Sequence, residues 1–407
     1  QHMRLTRYPN SNSTEDWMHV ETVNPNSSTS YPEFKLTDER VLGWSYQESD
    51  WLYSSYIRYG WAQGYFHGTI YNAYESLDEP GEWYYDQMSG RLYIYPFADT
   101  TRNSTLRMTS SNFDLISVNG ASYLNLEGLT VTSSKKDGIV MNNVDHCVIE
   151  NCTLTSFEGR AVSIDNATYS GLKNSEVAYT SISAIYLNGG DYQTMEPGYD
   201  FITNCRIHDT NQYRTMNEGG VKFRGVKNTF SNNEVYNITD MALNFAIVGG
   251  GPTSLDCVIE NNSFHDVVLN GKDMGAVYGG RDARCQGVVI RNNHFYNIAN
   301  NDSSFPSFSA NAVYLDDGLS GAAVTGNIFG PGASGEYLEA VKINCGHDTV
   351  ITNNLFIDTR CAFNVYIAGN FAVGMTNDSG FGIAPSLRQV WNNERYTERW
   401  PWMAALR

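Results

Sequence analysis

Six carboxylates able to take part in breaking a glycosidic bond, Glu218, Asp240, Asp273, Asp316, Asp317 and Glu339, fall at comparable places in a repeating sequence. Glycoside hydrolysis uses two such groups. One protonates the leaving oxygen and the other attacks the sugar or activates water, about 5–5.5 Å apart for retention and roughly 6.5–9.5 Å apart for inversion. Equivalent positions on neighbouring strands lie about 4.8 Å apart, so acids on adjacent or next-adjacent repeats approach those separations. Asp273 and Asp316 are the first choice for the catalytic pair, with Asp317, or Glu218 with Asp240, as the alternative. The Asp316-Asp317-Gly318 run also reads as a turn in which aspartate bonds its own backbone.

Groups suited to holding a sugar chain follow the same spacing. Tyr278 and Tyr314 offer ring faces to pyranose rings, while Asn244 and Asn344 offer amides to hydroxyls. Lys222, Arg224, Arg281 and Lys342 suit either a substrate carboxylate or ion pairs with nearby acids. Ser163, Asp165, Tyr186, Asn188, Asn364 and Tyr366 extend the same outward-facing row. His347, in Asn344-Cys345-Gly346-His347, stands alone at a turn, where histidine is usually incidental. The cysteines do not cluster with metal-ligand spacing, and no metal or cofactor is expected unless the chain is a lyase, where calcium could take part.

What must position these residues is a repeat. One line recurs as Glu150-Asn151-Cys152-Thr153-Leu154, Thr203-Asn204-Cys205-Arg206-Ile207, Arg291-Asn292-Asn293-His294-Phe295 and Thr352-Asn353-Asn354-Leu355-Phe356, with further copies between, at spacings of 23 to 34 residues. A second line runs in phase with it: Gly138-Ile139-Val140-Met141, Ala184-Ile185-Tyr186-Leu187, Gly220-Val221-Lys222-Phe223, Ala276-Val277-Tyr278-Gly279 and Ala340-Val341-Lys342-Ile343 among others. Each repeat thus holds at least two short strands of period-2 alternation with an Asn-rich turn. Such a unit cannot bury its apolar face alone and must stack on its neighbours. The expected fold is all-β, a right-handed parallel β-helix of about nine or more coils. Asparagines at equivalent turns should form a hydrogen-bonded ladder, and the second and fourth residues of the second line should point inward.

Three segments are expected. Residues 1–105 form an aromatic-rich β segment packed on the helix, with Trp44, Trp51, Tyr53, Tyr56, Tyr59, Trp61, Tyr65 and Phe66. Residues 106–370 form the solenoid, and 371–407 a C-terminal cap. The net charge of −17 argues against nucleic acid. It also argues against a strongly polyanionic glycan unless the groove is locally basic. No apolar run is long enough to span a membrane. The seven cysteines read mainly as small buried residues, with one or two disulfides as the alternative. Sequons at Asn12, Asn26, Asn103, Asn151, Asn166, Asn237, Asn261, Asn301 and Asn377 fit a secreted, extracellular glycoprotein, or a periplasmic one in a bacterium.

Four stretches carry a resemblance to β-helix glycoside hydrolases of the α-L-fucosidase and xylanase type. They are Leu5-Thr6-Arg7-Tyr8-Pro9-Asn10, the pair Pro80–Asp86 and Gly90–Pro96, Gly275–Asp282, and Val313–Gly318; Trp400-Pro401-Trp402 is similar too. The resemblance implies a polysaccharide or oligosaccharide substrate, and that Asp273 and Asp316 act as the carboxylate pair. Relatives of this type carry further sequence on both sides, so a processed or truncated product is expected. Two other functions remain open. One is a polysaccharide lyase, in which Lys, Arg or Tyr removes a proton beside a uronate, with calcium in some cases. The other is a non-catalytic structural glycoprotein that self-associates through its coil ends.

Overall fold

A computed structural model describes residues 2–7, 15–24, 33–40, 66–101, 104, 106, 108–213, 218–246, 251–269, 274–298, 310–332, 339–366 and 384–404. The chain divides into two compact units, Gln1–Met108 and Thr109–Arg407. In the first, His2–Arg7 lies between Glu15–Asn24 and Phe66–Tyr71, and Glu33–Arg40 completes a four-stranded antiparallel sheet. A hairpin of Trp83–Asp86 and Arg91–Ile94 follows, with Tyr74 meeting Tyr84 and Tyr93 edge-on at 5.5 and 5.4 Å. The aromatic run from Trp44 to Tyr65 lies outside the described residues.

The second unit is a parallel β-helix. Each coil gives one strand to each of three parallel sheets, with nine-stranded second and third sheets. The first sheet runs in unbroken chain order through ten strands, from Ile116–Asn119 to Cys361–Tyr366. The Asn-rich line is a corner rather than one strand. Asn151, Asn174, Asn204, Asn232, Asn261, Asn292 and Asn353 all have φ between 53° and 57°. Asparagine tolerates this left-handed conformation better than other residues with a side chain. Strands such as Val148–Glu150 and Thr153–Phe157 therefore flank the corner in different sheets.

The residue after each corner asparagine points inward, where its polar groups need partners. Asn233 Nδ2 donates to Asn262 Oδ1 at 3.1 Å, Asn262 to Asn293 at 2.9 Å, Asn293 to Asn327 at 3.0 Å, and Asn327 to Asn354 at 3.0 Å. The same Nδ2 atoms reach the carbonyls of Ile202, Phe230, Ile259 and Ile290, each at 3.0 Å. Beside this column, Phe230, Phe264, Phe295, Phe329 and Phe356 stack with centroids 5.0–6.2 Å apart. Ile139, Met141, Val162, Ile164, Ile185, Leu187, Val221 and Phe223 complete the dry interior from the first sheet. The seven cysteines are free thiols and five are buried. Burial pushes the Cys205 and Cys257 thiols up to about 12.

The C-terminal helices Ala384–Val390, Glu394–Arg399 and Pro401–Ala404 lie along the flank of the coils. Val390, Tyr396 and Met403 share a core with Val226, Leu255 and Ala283. Arg284 is fully buried, paired with Asp282 at 2.8 Å and donating to Gln389 at 2.8 Å. Asn393 reaches the Gln193 carbonyl at 2.8 Å, and Arg399 pairs with Asp256. Residues 371–383, the start of the expected cap, lie outside the described residues. Among the described residues no helix is long and apolar enough to cross a membrane.

Two predictions follow from the interior. Asn293→Ala should leave Asn262 and Asn327 short of a partner and cost about 1–3 kcal/mol in urea unfolding; an unchanged midpoint would show that the column contributes nothing. Asp200 is fully buried, its Oδ2 has no hydrogen-bond partner among the described residues, and burial raises its carboxyl from 3.8 to about 7. A raised folded-state value favours the protonated native form, so its destabilisation grows as pH rises from about 4 to about 7. The stability of Asp200→Asn relative to the parent chain should climb across that window, and a flat difference would refute the burial account.

Candidate functional site

Outward side chains of the first sheet form two rows. Successive register partners in one row are Ser163, Tyr186, Lys222, Asn244, Tyr278, Tyr314, Lys342 and Asn364. The second row runs Asp165, Asn188, Arg224 and, beyond a register irregularity at Asn244 and Ala246, Gly280 and Asp316. Because each side chain sits over its register partner, residues far apart in sequence share one polar strip.

Its downstream half is a hydrogen-bonded cluster around two carboxylates. Tyr278 Oη donates to Asp316 Oδ2 at 2.8 Å. Asn344 Nδ2 donates to Asp316 Oδ1 at 2.8 Å and to Asp317 Oδ1 at 3.1 Å. The Asp317 backbone N–H also donates to Asp316 Oδ1 at 2.8 Å, while Arg281 Nε bonds Asp317 Oδ2. Asp317 holds a left-handed φ of 44°, so the turn reading and the cluster are both present in the same residues. Burial, followed by the neighbouring Asp316, raises the Tyr278 phenol well above its ordinary value. Tyr278 is therefore a protonated donor at neutral pH. Lys342 Nζ lies 4.4 Å from the Tyr314 ring centroid, and Tyr314 meets Tyr278 edge-on at 5.5 Å.

The upstream half centres on Lys222, whose Nζ is 2.6 Å from Glu218 Oε2, and on Arg224, whose guanidinium bonds Asn244 Oδ1 and the carbonyls of Asn244 and Phe223. Glu218 reaches the strip because the chain turns sharply at Gly219, where a Cβ would come within 3.1 Å of the Asn244 Cβ. Gly275 makes a similar close approach one coil beyond Asn244, 2.8 Å from the Tyr314 Cβ.

Several expected site residues sit differently. Asp240 is not on the strip: it is fully buried, and its Oδ2 accepts the backbone N–H groups of Glu218 at 2.7 Å and Gly219 at 3.1 Å. Burial raises its carboxyl to about 6. Its work is to hold the corner that delivers Glu218. Asn244 and Tyr314 belong to the strip but are only 3% and 2% exposed, so they support neighbours rather than present a free face. Glu339 lies farther along, accepting from Asn364 at 3.0 Å. His347 is edge-on to Trp402 at 4.5 Å and belongs with the C-terminal helices. Asp273 lies outside the described residues. Arg160, absent from the sequence-based set, stands 5.7 Å from the Tyr186 ring centroid. It falls two residues before Val162, outside the strand pattern that flags the other strip residues. Among the described residues no group of His, Cys, Asp and Glu could hold a metal ion.

A family model for the right-handed β-helix region matches residues 114–248. A mannuronan C-5 epimerase A-module from Azotobacter vinelandii is similar at 12% identity over 58% of this chain and 58% of that one, with a TM-score of 0.43. An alginate lyase from Paenibacillus is similar at 13% identity over 63% of this chain and 92% of that one, with a TM-score of 0.40. The Agl-KA catalytic domain is similar at 12% identity over 64% of this chain and 48% of that one, with a TM-score of 0.35. This chain therefore spans little more than half of the epimerase module. No curated protein matches the sequence. The solenoid is a right-handed parallel β-helix.

Asn344→Ala should remove one bond from each of Asp316 and Asp317 and lower stability by about 1–3 kcal/mol. Equilibrium urea unfolding checks this, and a loss below about 0.5 kcal/mol would mean that water replaces the amide.

Proposed function

We propose that the chain is a glycoside hydrolase acting on a polysaccharide laid along the strip, with Asp316 and Asp273 as its carboxylate pair. The observation that carries this reading is the Asp316 cluster. Asp316, on the outward row and 5% exposed, accepts from Tyr278, Asn344 and the Asp317 backbone, which fixes its direction beside tyrosine rings. A carboxylate pinned as acceptor suits the nucleophile or base, and the second acid must then supply the proton. Asp273 is assigned that role from its place in the sequence, one residue before the strand Met274–Gly280 that carries Tyr278. Arg281, Asp317 and Lys342 hold the surrounding groups in place. An extracellular setting fits a polysaccharide substrate and the exposed sequon residues Asn151, Asn166, Asn237 and Asn261.

The test is a glycan panel followed for both new reducing ends and the absorbance of unsaturated uronates. Reducing ends without the absorbance are expected, and Asp316→Asn and Asp273→Asn should each lower the rate by roughly 10²–10⁴-fold. Absorbance rising with the reducing ends would mean a lyase, and undiminished hydrolysis in either variant would overturn the pair.

A further inference from the structure

The chain carries a net charge of −17, yet one stretch of the strip is cationic. Arg160 from the coil before Tyr186, and Lys222 and Arg224 from the coil after it, converge on its ring. The Arg160 guanidinium lies 5.7 Å from the Tyr186 ring centroid, with Nε donating to Ser183 at 3.2 Å. Lys222 is the register partner of Tyr186, and Arg224 of Asn188. Four acids stand nearby, and each is engaged: Glu218 on Lys222 at 2.6 Å, Asp165 on the Asn188 amide at 2.7 Å, Asp137 on the Arg160 backbone N–H at 2.8 Å, and Asp282, whose charge reaches Arg224, on Arg284 at 2.8 Å.

Arg224 is the costly member. It is 5% exposed, and its hydrogen bonds go to neutral acceptors, the Asn244 side chain and two backbone carbonyls. Among the described residues neither Arg224 nor Arg160 makes an ion pair. A buried cation without a carboxylate costs several kcal/mol unless something compensates it. Burial lowers the Arg224 value to about 10 and also lowers that of Lys222, where Arg160 and Arg224 add to the effect. An incoming anion reverses both penalties.

We infer that this stretch is a subsite for the anionic group of an acidic sugar, a carboxylate or a sulfate ester, so that the polysaccharide proposed above is an acidic one. Lys222 and Arg160, both part-exposed, make the contact, while Arg224 supplies charge from beneath. Tyr186 adds a hydroxyl, kept protonated by burial at about 12. The distance from the reacting bond rests on the hydrolase reading: the Val221–Val226 strand is three strands from Ala310–Asp316, about 14 Å. The acidic sugar would then select substrate without entering the bond-breaking step.

Calorimetric titration of the full chain with tetragalacturonate, its fully methyl-esterified form and a sulfated neutral tetrasaccharide tests this. The acid should bind at least about tenfold tighter than the ester at low salt, with the margin shrinking as salt rises. Lys222→Met and Arg160→Met should each remove most of that margin, with circular dichroism confirming that both variants fold. A sulfated ligand bound in place of the uronate, with the same dependence on Lys222, identifies sulfate as the group. Equal binding of acid and ester, a margin that survives Lys222→Met, or no binding of any probe would overturn the subsite. The two proposals separate cleanly. Lys222-dependent acid binding without hydrolysis sinks the hydrolase reading alone, and hydrolysis without acid preference sinks the subsite alone.

Discussion

Hydrogen bonding along the coil axis is the constraint on which everything else rests. Each strand of the solenoid finds its backbone partners in the coil before and the coil after, so a position in one coil inherits the environment of its equivalents. At the corners the backbone turns inward and strands leave N–H groups without a strand partner. The next coil supplies one each time: Ser170 takes the Cys147 N–H, Ser175 that of Cys152, Asn233 that of Cys205, and Asn262 that of Asn233. Serine and asparagine answer the same demand, which is why the column through Cys152 carries Ser175 early and Asn233 and Asn262 farther along the stack.

With the backbone satisfied internally, the outer face of the first sheet is free to vary, and it does so in blocks. Carboxylates with tyrosines gather downstream, around Asp316, and cations gather upstream, around Tyr186. The stacking rule converts both blocks into neighbours in space, although Arg160 and Lys222 are 62 positions apart in the chain. Rigid strands rather than loops hold most of these groups, which suits a site that must present several groups at fixed spacing.

The inward row and the asparagine corners were legible in the sequence because both repeat with each coil. Ile139, Met141, Val221 and Phe223 point inward as their alternation requires. The strip residues were legible as the complementary outward row. What escaped was set by partners in other coils. Asp240 has the sequence context of a groove residue, but the N–H groups of Glu218 and Gly219, which draw it inside, lie 22 and 21 residues upstream. Arg160 lies outside the strand line, and nothing local predicts Tyr186 as its neighbour. The Asp282–Arg284 pair is buried only because Gln389 and Tyr396 arrive from over a hundred residues away.

Those late-arriving helices change how the solenoid behaves as a polymer. A stack of coils ordinarily couples only nearest neighbours, so that it can grow from one end as synthesis proceeds. Here the last described segment ties the turn at Gln193 to those at Asp256, Arg284 and His347. The middle coils thus emerge from the ribosome well before the residues that close their flank. Until Val390, Tyr396 and Met403 dock, Val226, Leu255 and Ala283 keep an apolar margin facing water. The slowest and most aggregation-exposed interval in making this molecule should therefore fall in the middle of the stack rather than at either end.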